Sequence, residues 1–247
     1  MLHLSVADGV HRVEDAYTNW YVVEDDGALL VVDTAHPRSW GSLQELLQRL
    51  GRDQGEIHAV VLTHAHFDHV GFAERARREL GISVYAHERE LPVTRHPLSY
   101  DHERSRLPYM LRHPGFDRAF AAMAAMGALW TKGVEHVRTY QDGEVLDLPG
   151  RPHVIFTPGH THGHCALHFP ERGVLIAGDA FVTYDPYVAS EGPQIVAGAA
   201  TADSAEALRS LDAIADVDAD VVLTGHGEPW TQGTTLAVER ARAAGPH

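Results

Sequence analysis

Residues Thr63-His64-Ala65-His66-Phe67-Asp68-His69 place three imidazoles and a carboxylate in one short turn, directly behind the apolar run Ala59-Val60-Val61-Leu62. An apolar run of that length ending in a polar turn reads as a buried strand. Packing alone gives no reason to cluster such side chains. Imidazole and carboxylate together suit zinc, iron or manganese. The chain must therefore fold so that the end of a buried strand opens onto a site, which favours a sheet-based architecture.

The same arrangement recurs three times. His153-Val154-Ile155-Phe156-Thr157 reads as a strand and is followed by Pro158-Gly159-His160. Val174-Leu175-Ile176-Ala177 is followed by Gly178-Asp179, and Val221-Val222-Leu223 by Thr224-Gly225-His226-Gly227. Any one of these junctions could be a simple turn. Four strands that each deliver a metal-capable side chain just past their C-terminal ends point to one site, because loops there are held by a rigid sheet.

The remaining pattern alternates strand and helix, which indicates an α/β fold. Val10 to Glu14, Asn19 to Glu24 and Ala28 to Val32 read as strands, with a hairpin turn at Glu24-Asp25-Asp26-Gly27. Trp40, Leu43, Leu46, Leu47 and Leu50 fall at helical spacing and predict a helix over 39–50 that Gly51 stops. A second helix is expected over 71–80, then a strand over 82–86. Later strands are expected at 134–140, 144–148, 153–157, 166–169, 174–177 and 220–223, with helices at 202–215 and 234–244. Two β-rich halves, each with its own helices, suggest two sheets face to face with helices outside, in a single domain over 1–247.

Between about residues 88 and 133 the alternation breaks. Pro92, Pro97, Pro108 and Pro114 punctuate the segment, which reads as a helical insertion lying over a site. Phe116, Phe120, Met123, Gly127 and Trp130 recur at steps of four and three, a stripe expected to pack in the core. His87, His96, His102, His113 and His136 have no spacing partner and are expected in solvent.

Composition narrows the function. Cys165 is the single cysteine, so no internal disulfide or Cys-rich zinc site is available and any metal site must use His and carboxylates. A formal charge of −14 over 247 residues opposes a phosphate backbone, which argues against nucleic-acid binding. No apolar run approaches membrane-span length, and the N-terminus shows no basic leader or apolar h-region, so the expected location is cytoplasmic.

Taken in order, H-x-H-x-D-H at 64–69, Thr157-Pro158-Gly159-His160, Gly178-Asp179 and Gly225-His226-Gly227 resemble the metal motifs of the metallo-β-lactamase-fold superfamily, over about residues 10–230. The chain is more similar to the glyoxalase II-like and lactonase-like branch than to zinc β-lactamases that use a cysteine ligand, because Asp179 stands where that branch carries its bridging carboxylate. The resemblance implies a four-layer αββα sandwich and two divalent metal ions, zinc first, with iron or manganese as the other candidates. It implies that His64, His66 and His160 hold one ion and that Asp68, His69 and His226 hold the other. Asp179 would bridge both, and Asp33 would orient the His-rich loop from behind. Asp68 would also handle the proton of the nucleophile, a hydroxide shared between the metals. The implied activity is hydrolysis of a small ester, thioester, lactone or lactam. The alternative on the same fold is a mononuclear iron persulfide dioxygenase using His64, His160 and Asp179.

Trp20, Phe181, Tyr184 and Tyr187 are candidate substrate walls. His162, His164 and His168 are expected to be loop or strand residues, with His164 the one placed to serve as an outer hydrogen-bonding partner. The expected partner is a small-molecule substrate, and a homodimer is the default assembly for a soluble enzyme of this size.

Overall fold

The computed structural model describes residues 1–247, the side chains of Pro114 and Phe116 excepted. Chain order gives β1 (Leu2–Ala7), β2 (Val10–Asp15), β3 (Thr18–Asp25), β4 (Ala28–Val32), α1 (Ser39–Leu50), β5 (Ile57–Val61), α2 (Ala73–Leu80) and β6 (Ser83–His87). The insertion follows with α3 (Leu91–Arg95), α4 (Leu107–Arg112) and α5 (Pro114–Ala125), and then β7 (Val137–Tyr140). The second half contains β8 (His153–Phe156), β9 (Cys165–Phe169), β10 (Val174–Gly178), β11 (Val182–Asp185), β12 (Ser190–Gln194), α6 (Ser204–Ser210), α7 (Asp212–Ala215), β13 (Val221–Thr224) and α8 (Thr234–Ala244).

Strands β1 to β7 form one sheet in sequence order, antiparallel as far as β4 and parallel from β4 to β7. The second sheet has the order β13-β10-β9-β8, and β11 pairs with β12 as a separate hairpin. Successive strand residues point to opposite faces, and the packing follows that period. Val22, Val31 and Val60 join α1 and α2 in one core, while Tyr21, Val23, Leu30, Val32, Ala59 and Val61 face the second sheet. On β10, Val174 and Ile176 point between the sheets, and Leu175 and Ala177 pack with residues of α6, α7 and α8. Three apolar clusters therefore separate four layers, an αββα sandwich. Among the described residues no helix is long and apolar enough to cross a membrane.

Several expectations need correction. The segment 144–148 forms only an isolated bridge from Val145 to His153, and Val145 is exposed, so the segment has little apolar surface to bury as a strand. The helix expected over 202–215 is two, α6 capped by the Asp203 carboxylate and then α7. Strand β1 and the β11–β12 hairpin went unread in the sequence. The insertion's stripe is split. Helix α5 ends at Ala125 and Gly127 turns left-handed, so Trp130 rotates away and is 70% exposed while Met123 stays buried. Phe120 is 42% exposed, and the side chain of Phe116 lies outside the described ones. His87 is buried rather than solvated, stacked on Phe156 with ring centroids 4.7 Å apart.

Candidate metal centre

Parallel pairing gathers the functional side chains. β4 and β5 run parallel, so Asp33 and the His64–His69 turn leave the first sheet at one edge. β10 pairs parallel with β13 and antiparallel with β9, which is antiparallel to β8. Consequently β8, β10 and β13 share a direction, and His160, Asp179 and His226 leave the second sheet at one edge. The two edges are joined where the Cys165 amide donates to the Thr63 carbonyl at 2.9 Å.

Asp179 Oδ2 lies at the centre of the resulting cluster. It is 3.3 Å from His160 Nε2, 3.3 Å from His226 Nε2, 3.8 Å from His69 Nε2 and 3.9 Å from His64 Nε2. His66 Nδ1 approaches His160 Nε2 to 3.0 Å, and Asp68 Oδ2 lies 3.6 Å from His226 Nε2. Two groups thus have ligand atoms within 4.8 Å of one another: His64 with His66 and His160, and Asp68 with His69 and His226. Asp33 also lies near His64 and His69, but its oxygens are already engaged. Oδ1 accepts from the Thr63 amide at 2.8 Å, and Oδ2 accepts from the Thr63 hydroxyl at 2.8 Å and from His69 Nδ1 at 3.0 Å.

The outer ring nitrogens account for the tautomers. His64 Nδ1 faces the Thr63 hydroxyl (3.1 Å), His160 Nδ1 faces the Thr201 hydroxyl (3.3 Å), and His226 Nδ1 donates to the Tyr17 carbonyl (2.7 Å). With those N–H groups turned outward, the Nε2 lone pairs of His64, His69, His160 and His226 face one another. Partners of this kind orient metal-binding imidazoles. His64 Nε2, His69 Nε2 and Asp179 Oδ1 are buried and have no hydrogen-bond partner. Orphaned buried acceptors of this type are costly in a core and suited to a cation.

Electrostatics agree. Burial, reinforced by neighbouring imidazoles, holds His64 well below its usual pKa of 6.5. Burial, opposed by Asp179, leaves His160 at about 3. Burial also disfavours charge on His69 and His226, but Asp179 and neighbouring carboxylates outweigh it, raising His69 and carrying His226 to about 10. Burial would raise Asp179, yet His226 and His69 hold it well below 3.8. His64 and His160 are therefore neutral, whereas the carboxylates favour a proton on His69 and His226, and a divalent cation held by this donor set would take the place of those protons.

Two supporting residues come from outside the motifs. His164 Nε2 accepts the Asp179 amide at 2.9 Å while its Nδ1–H donates to the Thr157 hydroxyl at 2.8 Å, so it aims the central carboxylate. Glu90 is fully buried between two ligand-bearing loops. It sits in Glu88-Arg89-Glu90 at the start of the insertion, where nothing local in the sequence marks it. Of the proposed substrate walls, Trp20 and Phe181 are corrected. Trp20 is fully buried against Phe72 and donates to Asp15, and Phe181 is fully buried beside the helices of the second sheet. Both fall on core-facing positions of their segments. Tyr184 stacks on Tyr17 (5.9 Å) in a groove of about 560 Å³ with Arg118 and Trp230. Tyr187 joins Phe67, Phe120 and Met123 over Asp68, around a cavity of about 20 Å³. Tyr100, absent from the expected walls, lies over His66 with ring centroids 3.8 Å apart.

The model of the metallo-beta-lactamase superfamily matches residues 13–226. A Bacillus subtilis protein named "Probable metallo-hydrolase YflN" is 28% identical over 242 residues, covering 91% of this chain and 86% of its own. Hydroxyacylglutathione hydrolase of Gloeobacter violaceus is 34% identical over 179 residues, which span 69% of this chain and 52% of that enzyme. The crystal structure of a metallo-beta-lactamase family protein from Thermus thermophilus superposes with a TM-score of 0.70 at 27% identity, over 96% of this chain and 79% of that one. The ordered strand-end motifs, the four-layer sandwich and the family match agree, and the chain belongs to the metallo-beta-lactamase superfamily, most of whose members are metal-dependent hydrolases.

Proposed function

We propose that this protein is a dinuclear-metal hydrolase of a small ester, thioester, lactone or lactam. One observation carries the reading: Asp179 Oδ2 stands within 3.3–3.9 Å of four inward-facing imidazole nitrogens that belong to two separate ligand groups. His64, His66 and His160 would hold one ion, Asp68, His69 and His226 the other, and Asp179 both. The nitrogen and oxygen donor set suits zinc first, then iron or manganese. Bound there, two divalent ions would supply a water ionised near neutral pH and a Lewis acid for the carbonyl oxygen.

The chain's own residues do the rest. Asp68 borders the small cavity beneath Phe120 and Tyr187, whose volume of about 20 Å³ admits a single water. Neighbouring His69 and His226 hold its carboxyl below 3.8 against the effect of burial, so it is an acceptor at neutral pH. It would orient the attacking water and take its proton, later returned to the departing group. Cavities beside the ligands, about 20 Å³ at Asp68 and about 120 Å³ at His66, favour a small-molecule substrate. The likeness to hydroxyacylglutathione hydrolase supports a thioester among the candidates and the glyoxalase II-like branch.

Metal quantification with a hydrolysis panel of lactones, thioesters, phosphoesters and β-lactams tests the proposal. Two zinc ions per chain and turnover of a carbonyl substrate are expected. One iron per chain, with oxygen consumed on a persulfide, would replace this reading with the dioxygenase one.

A further inference from the structure

We infer that Glu90 is a positioning residue that sets the spacing between the two loops carrying His64, His66 and His160. The inference rests on the metal centre proposed above. Glu90 closes the short helical turn Glu88–Glu90 after β6, and none of it reaches solvent. A buried carboxylate is expensive unless it is compensated. Among the described residues no basic group lies within salt-bridge distance of it.

Its compensation comes from the Thr161 side chain and from two backbone amides in different loops. The Ala65 N–H donates to Oε2 at 2.8 Å, and the Gly163 N–H donates to Oε1 at 2.8 Å. Ala65 separates His64 from His66, and Gly163 lies between His160 and His164. One carboxylate therefore joins the turn after β5 in the first sheet to the turn after β8 in the second. The fit is tight on the second loop: a Cβ on Gly163 would lie 2.8–2.9 Å from the amide nitrogen, Oε1 and Cγ of Glu90. Between the joined loops, His66 Nδ1 and His160 Nε2 are 3.0 Å apart, and the His64 ring lies 4.8 Å from each of those two rings.

The chemistry selects glutamate. Each oxygen accepts a backbone N–H, one from each loop, and to a carboxylate such bonds are about twice as strong as between neutral groups. Glutamine offers one carbonyl oxygen and sets an NH2 group against the other amide donor, so one arm is lost. Alanine loses both arms. The other ligand group is held from elsewhere: Asp33 grips His69, and the Tyr17 carbonyl grips His226. The effect of Glu90 is therefore confined to the His64–His66–His160 site.

Zinc competition against a chromophoric chelator, resolved into two stepwise constants, tests this on the full chain. It is paired with the cobalt(II) absorption spectrum and the melting temperature of the metal-free protein. Glu90→Gln should weaken one constant about 10-fold and Glu90→Ala about 100-fold, with the other within about 3-fold of wild type. The cobalt bands of the weakened site should shift. Gly163→Ala should weaken the same constant. Should Glu90→Ala not fold, Glu90→Gln carries the test. Wild-type constants at both sites in Glu90→Gln, whatever its melting temperature, would reduce Glu90 to a fold-stabilising carboxylate and overturn the inference. Equal weakening of both sites would overturn it too. Failure of the wild type to bind zinc would instead overturn the metal centre itself, a result separable from the first two.

Discussion

Gly225 precedes His226, a proposed ligand, and a Cβ there would lie 2.0 Å from Asp179 Oδ1 and 2.8 Å from the His69 ring. The backbone of the β13 loop passes the central carboxylate so closely that only hydrogen fits. Gly225→Ala should displace Asp179 and lower kcat by about 10²-fold, the usual cost of a 1 Å misplacement. Its far-UV circular dichroism should stay native, which steady-state kinetics alongside a spectrum will check. His36 makes a second prediction. It is fully buried, neither ring nitrogen has a hydrogen-bond partner, and burial lowers its pKa from 6.5 to about 4. In the unfolded chain it takes up a proton below about pH 6.5, whereas in the fold it stays neutral down to about pH 4. Its contribution to stability is thus present above pH 6.5 and is lost as the pH falls, by about 3 kcal/mol at pH 4. Urea unfolding of metal-free wild type and His36→Leu at pH 7 and pH 4.5 should show a steeper acid loss in the wild type. Parallel losses would refute that assignment.

At the scale of elements, the loop after β13 is held by the strands of the other sheet. Asn19 Nδ2 donates to the carbonyls of Thr224 (2.9 Å) and Gly227 (2.7 Å), the Tyr21 hydroxyl donates to Thr224 (2.7 Å), and the Asn19 amide donates to Gly225 (2.7 Å). Asn19→Ala removes one buried and one part-buried bond and should cost about 1–3 kcal/mol, measured as a fall in the urea midpoint. Because His226 rides on that loop, zinc affinity should fall in the same variant. The insertion acts differently: α5 and Pro186-Tyr187 close over Asp68 instead of packing wholly into the core. Its helical stripe was legible as a period, but which neighbour the stripe would meet was not. A helix that ends at Ala125 cannot keep Gly127 and Trp130 on the face of Met123.

Across the whole molecule, the proposed centre lies where two sheets meet, so metal binding there would be coupled to folding. Each ion present at 1,000 times its Kd adds about 4 kcal/mol to stability. Chelation by EDTA should therefore lower the melting temperature by on the order of 10 °C, and zinc should restore it; scanning fluorimetry reads both. The local order of the chain determined much of this protein. Continuous apolar runs in β4, β5 and β10 specified strands buried on both faces and hence layers, because each face of such a strand needs a partner. That His64, His66, Asp68, His69, His160, Asp179 and His226 would gather in one place was legible, because donors just past a strand end need only the strand to be placed. Tertiary structure alone decided the rest. Glu90 and Tyr100 meet the loops of the site across 25 to 73 residues of chain, at hydrogen-bond or stacking distance, with no local pattern to announce them, whereas His164 stood out in sequence but its bond to the Asp179 amide did not. Trp20 and Phe181 look like site aromatics in sequence, but the pleat of β3 turns Trp20 into the core and the bend before β11 places Phe181 there too. Strand ends are a local property, whereas contacts between the loops that leave them depend on how two sheets are pressed together.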